Sequence, residues 1–370
     1  MFIRSKRVKG RVYYQLVENK RVRGKLVQRV LKHLGNEHDA QEYCRKHRLP
    51  FTKKATRATD SAFFSPRQSS EFITAVRGRN EIPLKFEYLR EGARRWDALV
   101  RSKGYSLGFT ESEMLTKHAQ DIINTFTSRF NVIDIGCGNG EKAQIILKGI
   151  SGFRPKYAAL DISPEMLGLA ENNITKELKT LNAEFHTVDF EEGNFANITQ
   201  HLREKNYPNN LFLFLGNTVG NVPDKSRILS NIRESMTVKD FLLIGIEMFD
   251  LSRIQDVLAH YHGNKVWRNI IFTTLEHCGL HQDDGAFEVT FNKNKSQVEA
   301  RFILKTAKEL KYGERTIRFR KGEKILLMIS YKSTPKNIQI LLAETGFMIH
   351  RLFLNEREDY ALILCKPMRW

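Results

Sequence analysis

The sequence predicts an α/β protein built on a doubly wound, mainly parallel sheet. Three observations predict it. From Asn131 onward, strand-like apolar runs alternate with helix-like stretches, the rhythm of parallel strands joined by helical crossovers. The first run, "VIDIGCGNGEK" (Val132–Lys142), passes from apolar residues into three glycines within five positions and then into a helix-like segment. Asp161 then ends the second run, twenty-one residues after Gly140.

The chain of 370 residues is long for one domain and natural for two. Its 41% apolar and 28% charged residues match a soluble globular protein with a sizeable core. Apolar runs such as "FLLIGI" (Phe241–Ile246) are far shorter than a membrane span, and "MFIRSKRVKG" lacks the apolar stretch of a secretory signal. No membrane partner is expected. Cys44, Cys137, Cys278 and Cys365 lie far apart, with no CxxC pair. This argues against a zinc site or a disulfide framework and favours the cytoplasm.

The net charge of +18 is concentrated at the start: residues 1–60 hold 17 Lys and Arg against 5 Asp and Glu. A polyanion partner is therefore expected for that segment more than for the rest. Its β-like runs are Val12–Val17 and Lys25–Leu31, with a polar turn over Glu18–Gly24 and a short helix over Glu37–Arg48. The pattern "RSK…G…YYQLVE…G…RVLKHLG" resembles the N-terminal region of certain transposases, without a catalytic acid. Weak, sequence-independent nucleic-acid binding and a solvated basic hairpin are the two readings of this segment.

Phe51–Ser70 is small-residue rich and reads as a linker. Pro83–Gly104 reads as helix, with Leu89, Ala93, Trp96 and Val100 three to four apart. The strands expected next are Val132–Ile135, Tyr157–Leu160, Ala183–Val188, Leu211–Leu215 and Phe241–Ile246. Ser163 and Pro164 mark a helix start. Residues 286–332 read as added antiparallel strands and Phe347–Lys366 as a closing hairpin. The expected organisation is a basic unit over 1–50, a linker over 51–70, and a helical cap over 71–128. A cofactor-binding core over 129–250, a substrate-binding α+β region over 251–332 and sheet-completing strands over 333–370 follow.

A dinucleotide loop has the spacing G-x-G-x-x-G. Here Gly136, Gly138 and Gly140 bring the third glycine one residue early, and Asp134 precedes the loop. That acid is a poor neighbour for a pyrophosphate and a good one for a cation. S-adenosyl-L-methionine carries a sulfonium and an ammonium and has no phosphate. Asp161 is placed for ribose hydroxyls, Asp189 for the adenine amino group, and Phe190 for the ring face. NAD binding, or a turn that binds nothing, is the competing reading.

Several motifs from about residue 70 onward resemble the histidine-specific methyltransferase family. They are "GCGNGEK", "DIS" at Asp161, the Asp189–Phe190 pair and "FLGNTVGN" (Phe214–Asn221). The resemblance implies a Rossmann-like class I methyltransferase fold with an added antiparallel substrate-binding region. It implies cofactor contacts at Gly136, Cys137, Gly138 and Lys142, with Lys142 near the cofactor's carboxylate. It further implies that Asn221 holds the acceptor amine, with Thr218 beside it; bracing of a tight turn by Asn217 and Asn221 is the alternative. Looser matches make Tyr88 and Tyr261 candidates for acceptor contact, with ordinary core packing as the other reading of each. Asn221 and Tyr261 are the expected orienting groups of the reaction. Glu247 is expected at the pocket mouth, as a proton acceptor or a structural group.

The departure is in "GEKILLMISYK" (Gly322–Lys332). Ser330 matches an acceptor contact, but Met328 stands where the family has a glutamate that meets the histidine ring. A thioether cannot accept an N–H as a carboxylate does. Ala300 stands where the family's pocket has methionine, so a roomier, more apolar pocket is expected. The reading is N-methylation of a small amine or amino-acid-like compound, without histidine being implied and without a metal. The alternatives are a nucleic-acid methyltransferase, against which the chain lacks a "[DNS]PP[YFW]" motif, and a noncatalytic nucleic-acid-binding protein that keeps the cofactor fold.

Overall fold

The structure, a computed structural model, describes residues 2–8, 11–22, 25–35, 37–47, 66–102, 106–249, 251–312 and 315–368. The chain forms two compact units, Met1–Ala58 and Thr59–Trp370. In the first, β1 (Phe2–Val8), β2 (Arg11–Val22) and β3 (Lys25–Gly35) form an antiparallel sheet, followed by α1 (Glu37–Lys46). Tyr14, Leu16, Leu34 and Ala40 bury together. The polar turn expected over Glu18–Gly24 is strand as far as Val22. Glu18 lies opposite Arg29 and Arg21 opposite Leu26, so backbone pairing overrides the polar composition. Of the expected linker, residues 51–65 lie outside the described residues and the remainder is already helical.

The second unit opens with α2 (Pro66–Arg79), a 3-10 turn over Leu84–Tyr88, α3 (Glu91–Val100) and α4 (Ser106–Ile123). The continuous helix expected over Pro83–Gly104 is broken. Arg90 has φ +54°, and Glu87, fully buried, accepts from the Thr274 backbone at 2.9 Å. That fixed carboxylate holds the preceding turn out of helical register.

The alternating region follows as β4 (Phe130–Ile135), α5 (Glu141–Ile150), β5 (Lys156–Asp161), α6 (Pro164–Glu177), β6 (Asn182–Thr187), α7 (Ala196–Leu202) and β7 (Asn209–Phe214). The short α8 (Thr218–Asn221), α9 (Lys225–Glu234) and β8 (Phe241–Glu247) complete it. Ser163 caps α6 by accepting from the Met166 N–H at 3.3 Å, with Pro164 at the first position. Three helices come next, α10 (Ile254–Gly263), α11 (Lys265–Ile271) and α12 (Thr273–His277). After them lie β9 (Gly285–Asn292), β10 (Gln297–Leu304), β11 (Lys308–Tyr312), β12 (Arg315–Phe319), β13 (Lys324–Tyr331), α13 (Pro335–Glu344), β14 (Phe347–Leu354) and β15 (Tyr360–Pro367).

The main sheet has the order β14-β15-β8-β7-β4-β5-β6. The strands from β8 to β6 are parallel neighbours, and β15 joins β8 antiparallel. Strand residues alternate between two cores: Ile133 and Ile135 face one, Phe130 and Val132 the other. The chain leaves β4 toward β5 and β6, then returns to β7 on the other side. That reversal opens a crevice at the carboxyl ends of β4 and β7.

A second sheet, β13-β10-β9, shares its core with the cap: Phe72, Phe86 and Leu89 pack with Val298, Phe302 and Met328. The backbones also join, since Ile82 N–H donates to Leu326 C=O at 2.8 Å and Leu326 N–H to Asn80 C=O at 2.7 Å. The part of the 71–128 region before α4 thus shares one core with the 251–332 region, while α4 packs on the main sheet.

Glu111 of α4 is fully buried against the sheet, in space that Gly245 of β8 leaves open. A Cβ there would lie 1.8 Å from Glu111 Oε1 and 2.7 Å from Tyr360 Oη. Gly245→Ala should therefore destabilise the protein by about 2–3 kcal/mol through overpacking. A lowered urea-unfolding midpoint checks this; an unchanged one rejects it.

Candidate active site

The loop after β4 is fixed from both sides. Gly136 N–H and Cys137 N–H donate to Leu160 C=O at 2.8 and 3.2 Å. Asp161, at the end of β5, accepts from Gly138 N–H at 3.2 Å and Ser163 N–H at 3.0 Å. Gly138 has φ +55°, and the Trp96 indole lies 2.8 Å from where its Cβ would be. Glycine alone satisfies both the backbone and that contact.

The loop borders a cavity of about 640 Å³, whose walls include Trp96, Asp134, Gly138, Asp161, Ile162 and Phe190. Gly136, Cys137, Lys142, Thr218 and Asn221 also line it. Burial pushes Asp161 up to about 6, against the backbone N–H groups that favour its charge. Burial likewise pushes Asp134, which accepts from Tyr157 Oη at 2.9 Å, up to about 7. Two buried carboxylates facing one cavity favour a cationic ligand with hydroxyl donors and disfavour a pyrophosphate. The residues present fit S-adenosylmethionine.

The Lys142 ammonium forms an ion pair with Glu111. The same carboxylate accepts from Gly216 N–H at 2.9 and 3.0 Å and from Tyr360 Oη at 2.6 Å. Lys142 thus lines the cavity with its charge already matched. In the loop after β7, Asn217 is left-handed at φ +57° and its Oδ1 accepts from Glu247 N–H at 3.1 Å. Thr218 Oγ1 donates to Leu215 C=O at 2.7 Å. Asn217 and Thr218 brace the turn, while Asn221 lines two cavities.

The second cavity, about 320 Å³, shares Leu84, Tyr88, Trp96 and Asn221 with the first. Tyr261, Glu247, Met328 and Ser330 line it and not the first. Burial, then the Asp161 charge, pushes the Tyr88 phenol above its ordinary range, so it remains an O–H donor. The Ser330 hydroxyl is buried with no hydrogen-bond partner among the described residues. Glu247 accepts from the buried Lys332 ammonium at 2.5 Å. Burial opposes that charge, but Tyr261 and Glu247 outweigh it and hold Lys332 above its ordinary value.

Two sequence expectations are displaced. Asp189 lies outside the cavity wall, because its carboxylate accepts from Lys85 Nζ at 2.6 Å and from Glu191 N–H at 3.1 Å. Ala300 lies opposite Met328 in the ladder and is fully buried in the core rather than in the cavity wall. Glu111, Trp96, Lys85, Lys332 and Glu191 were not foreseen at the site. Glu111 had a signal: it falls on the buried stripe of α4 with Leu115 and Ile122.

The sheet order, glycine loop and acidic cavity define a class I, S-adenosylmethionine-dependent methyltransferase. Residues 69–367 match the model of the SAM-dependent histidine-specific methyltransferases. The chain belongs to that family. Residues 3–57 separately match the N-terminal domain of IS1634 family transposases. The chain is 24% identical to histidine N-alpha-methyltransferase of Mycolicibacterium smegmatis, over 76% of this chain and 89% of that one. It is 24% identical to an L-tryptophan methyltransferase of Psilocybe serbica, over 68% and 78% respectively. Among solved structures, magnesium protoporphyrin IX methyltransferase of Synechocystis PCC 6803 has 15% identity and a TM-score of 0.44, over 77% and 98%. Among the described residues no helix is long and apolar enough to cross a membrane.

Ribose hydroxyls of a bound cofactor would donate to Asp161 in its ionised form. Cofactor affinity should therefore fall as pH drops through about 6, the value to which burial raises this carboxyl. Asp161→Asn should remove that step and weaken binding by about 1–3 kcal/mol. Calorimetric titration at stepped pH tests it; equal affinity in the variant rejects the ribose contact.

Proposed function

We propose that the enzyme N-methylates a small amine, an amino acid or a related compound, held in the smaller cavity. The observation that carries this is the shared wall: Tyr88 and Asn221 border both cavities, so donor and acceptor sites meet there. Histidine and L-tryptophan, in the names of the two relatives, are both amino acids of a size for such a site.

Bound S-adenosylmethionine supplies a methyl group on a sulfonium, for direct displacement by an unprotonated nitrogen. The chain's own part is positioning. Gly136, Cys137 and Gly138 cradle the cofactor, Asp161 holds its ribose, and Phe190 covers the base. Lys142, shared with Glu111, borders the methionine end. Asn221 accepts from the amine without adding charge, and Tyr88 donates beside it. Tyr261 borders only the acceptor side. Glu247, already bonded to Lys332, can still accept an N–H through its carboxylate. Ser330 offers its unpaired hydroxyl to the acceptor's polar end.

Met328 and Ser330, two residues apart on β13, line the same cavity. An imidazole buried against the Met328 thioether leaves a ring N–H unpaired. That costs about 1–3 kcal/mol and disfavours histidine by roughly tenfold or more. Met328→Glu should shift preference toward histidine over an apolar amino acid in a competition assay. Efficient histidine methylation by the wild type would sink the assignment, as would an unchanged preference.

The basic first unit is proposed as a weak nucleic-acid contact, supported by its 17 Lys and Arg against 5 Asp and Glu within residues 1–60. The cytoplasm is the proposed location, which the free cysteines suit. Deleting residues 1–60 should leave cofactor affinity and small-molecule turnover within about twofold, since independent sites contribute additively. A folded truncation without turnover would place the segment in the active site.

A further inference from the structure

We propose that Trp96 supplies the π surface along which positive charge moves from the donor sulfur to the acceptor nitrogen. The inference rests on the S-adenosylmethionine site. Its test reads the donor alone, so it is decided separately from the acceptor assignment.

The transferred methyl must cross from the larger cavity to the smaller one. The carbon–sulfur bond breaks as the carbon–nitrogen bond forms, and the positive charge passes from sulfonium to ammonium. The crossing point is defined by the residues that line both cavities, which among the described residues are Leu84, Tyr88, Trp96 and Asn221. None of the four carries a charge. The carboxylates stand to either side: Asp134 and Asp161 line the larger cavity and not the smaller, Glu247 and Asp359 the reverse.

A carboxylate at the crossing would favour the protonated amine, which has no lone pair with which to attack. An aromatic face attracts a cation yet takes no proton, and indole does so best. Trp96 and Tyr88 make the crossing aromatic on two sides, with centroids 6.4 Å apart and rings at 83°.

The indole is held to the donor side by the fold. Its six-membered ring lies against Gly138, 2.8 Å from where a Cβ would be. The neighbouring Asp97 accepts from Asn139 Nδ2 of the glycine loop at 2.9 Å. Arg101, one turn further along α3, donates to Asp97 at 3.1 Å and pairs with Glu141 at the start of α5 at 2.8 Å. Helix α3 is thereby strapped to the loop and to the helix after it, which fixes the ring relative to the cofactor.

The test is calorimetric binding of S-adenosylmethionine and S-adenosylhomocysteine to the full chain. The two differ by one methyl and one positive charge. Trp96→Leu should weaken the sulfonium compound at least about threefold more than the neutral one, and Trp96→Phe should fall between. Fluorinated tryptophan keeps the ring in place and drains charge from its face. Wild type made with it should lose affinity for S-adenosylmethionine stepwise with fluorine number, while S-adenosylhomocysteine binds as before. The same labelling of Trp96→Leu should change neither affinity, which separates Trp96 from Trp267 and Trp370. Equal losses for both ligands in Trp96→Leu overturn the proposal. Unmoved S-adenosylmethionine affinity in the fluorinated wild type also overturns it, and that readout holds even if the leucine variant fails to fold.

Discussion

The buried Glu111 carboxylate is the constraint on which the site depends. It joins three pieces of chain that are remote in sequence: Lys142 at the start of α5, the Gly216 N–H after β7, and Tyr360 on β15. An unpaired carboxylate at this depth would cost several kcal/mol. Each partner removes part of that cost only from its native place. The donor loop, the acceptor turn and the closing strands are therefore fixed against one another by one charge.

A second buried pairing does similar work on the acceptor side. Lys332 follows β13 and Glu247 ends β8, so their ion pair joins the added sheet to the main one beside the smaller cavity. The pair leaves Glu247, which lines that cavity, with its charge already matched. That suits a neutral amine, the only protonation state of a nitrogen that can displace at a methyl sulfonium.

Much of this was legible in the sequence for physical reasons. Strands β4, β5, β7 and β8 announce themselves as largely apolar runs because both faces are buried. The glycine spacing and the two strand-end acids follow from what the loop must approach. Tyr88, Asn221, Met328 and Ser330 were placed by motif and do line the cavities. The misses share one cause: they depend on partners far away in the chain. Asp189 looks available until Lys85, 104 residues earlier, is folded onto it. Ala300 alternates correctly for its strand, but its pairing with Met328 leaves it in the core rather than the cavity wall. The helix expected over Pro83–Gly104 ignored Glu87, whose backbone partner Thr274 lies 187 residues on. Local periodicity carries no information about such pairings.

The backbone join between the cap and β13 has a consequence for traffic through the enzyme. Asn80 and Ile82 are bonded to Leu326, two residues before Met328, while the 3-10 turn after them carries Tyr88. Roof and floor of the acceptor chamber are thus continuous, and prising them apart would break main-chain bonds. Arg253, Asp256, Arg357 and Asp359 line the same cavity. There Asp359 pairs with Arg253 at 3.1 Å and Arg357 at 3.4 Å. Such a wall of interleaved opposite charges exerts little long-range pull on a simple ion. It offers local partners of both signs to whatever polar groups reach this wall.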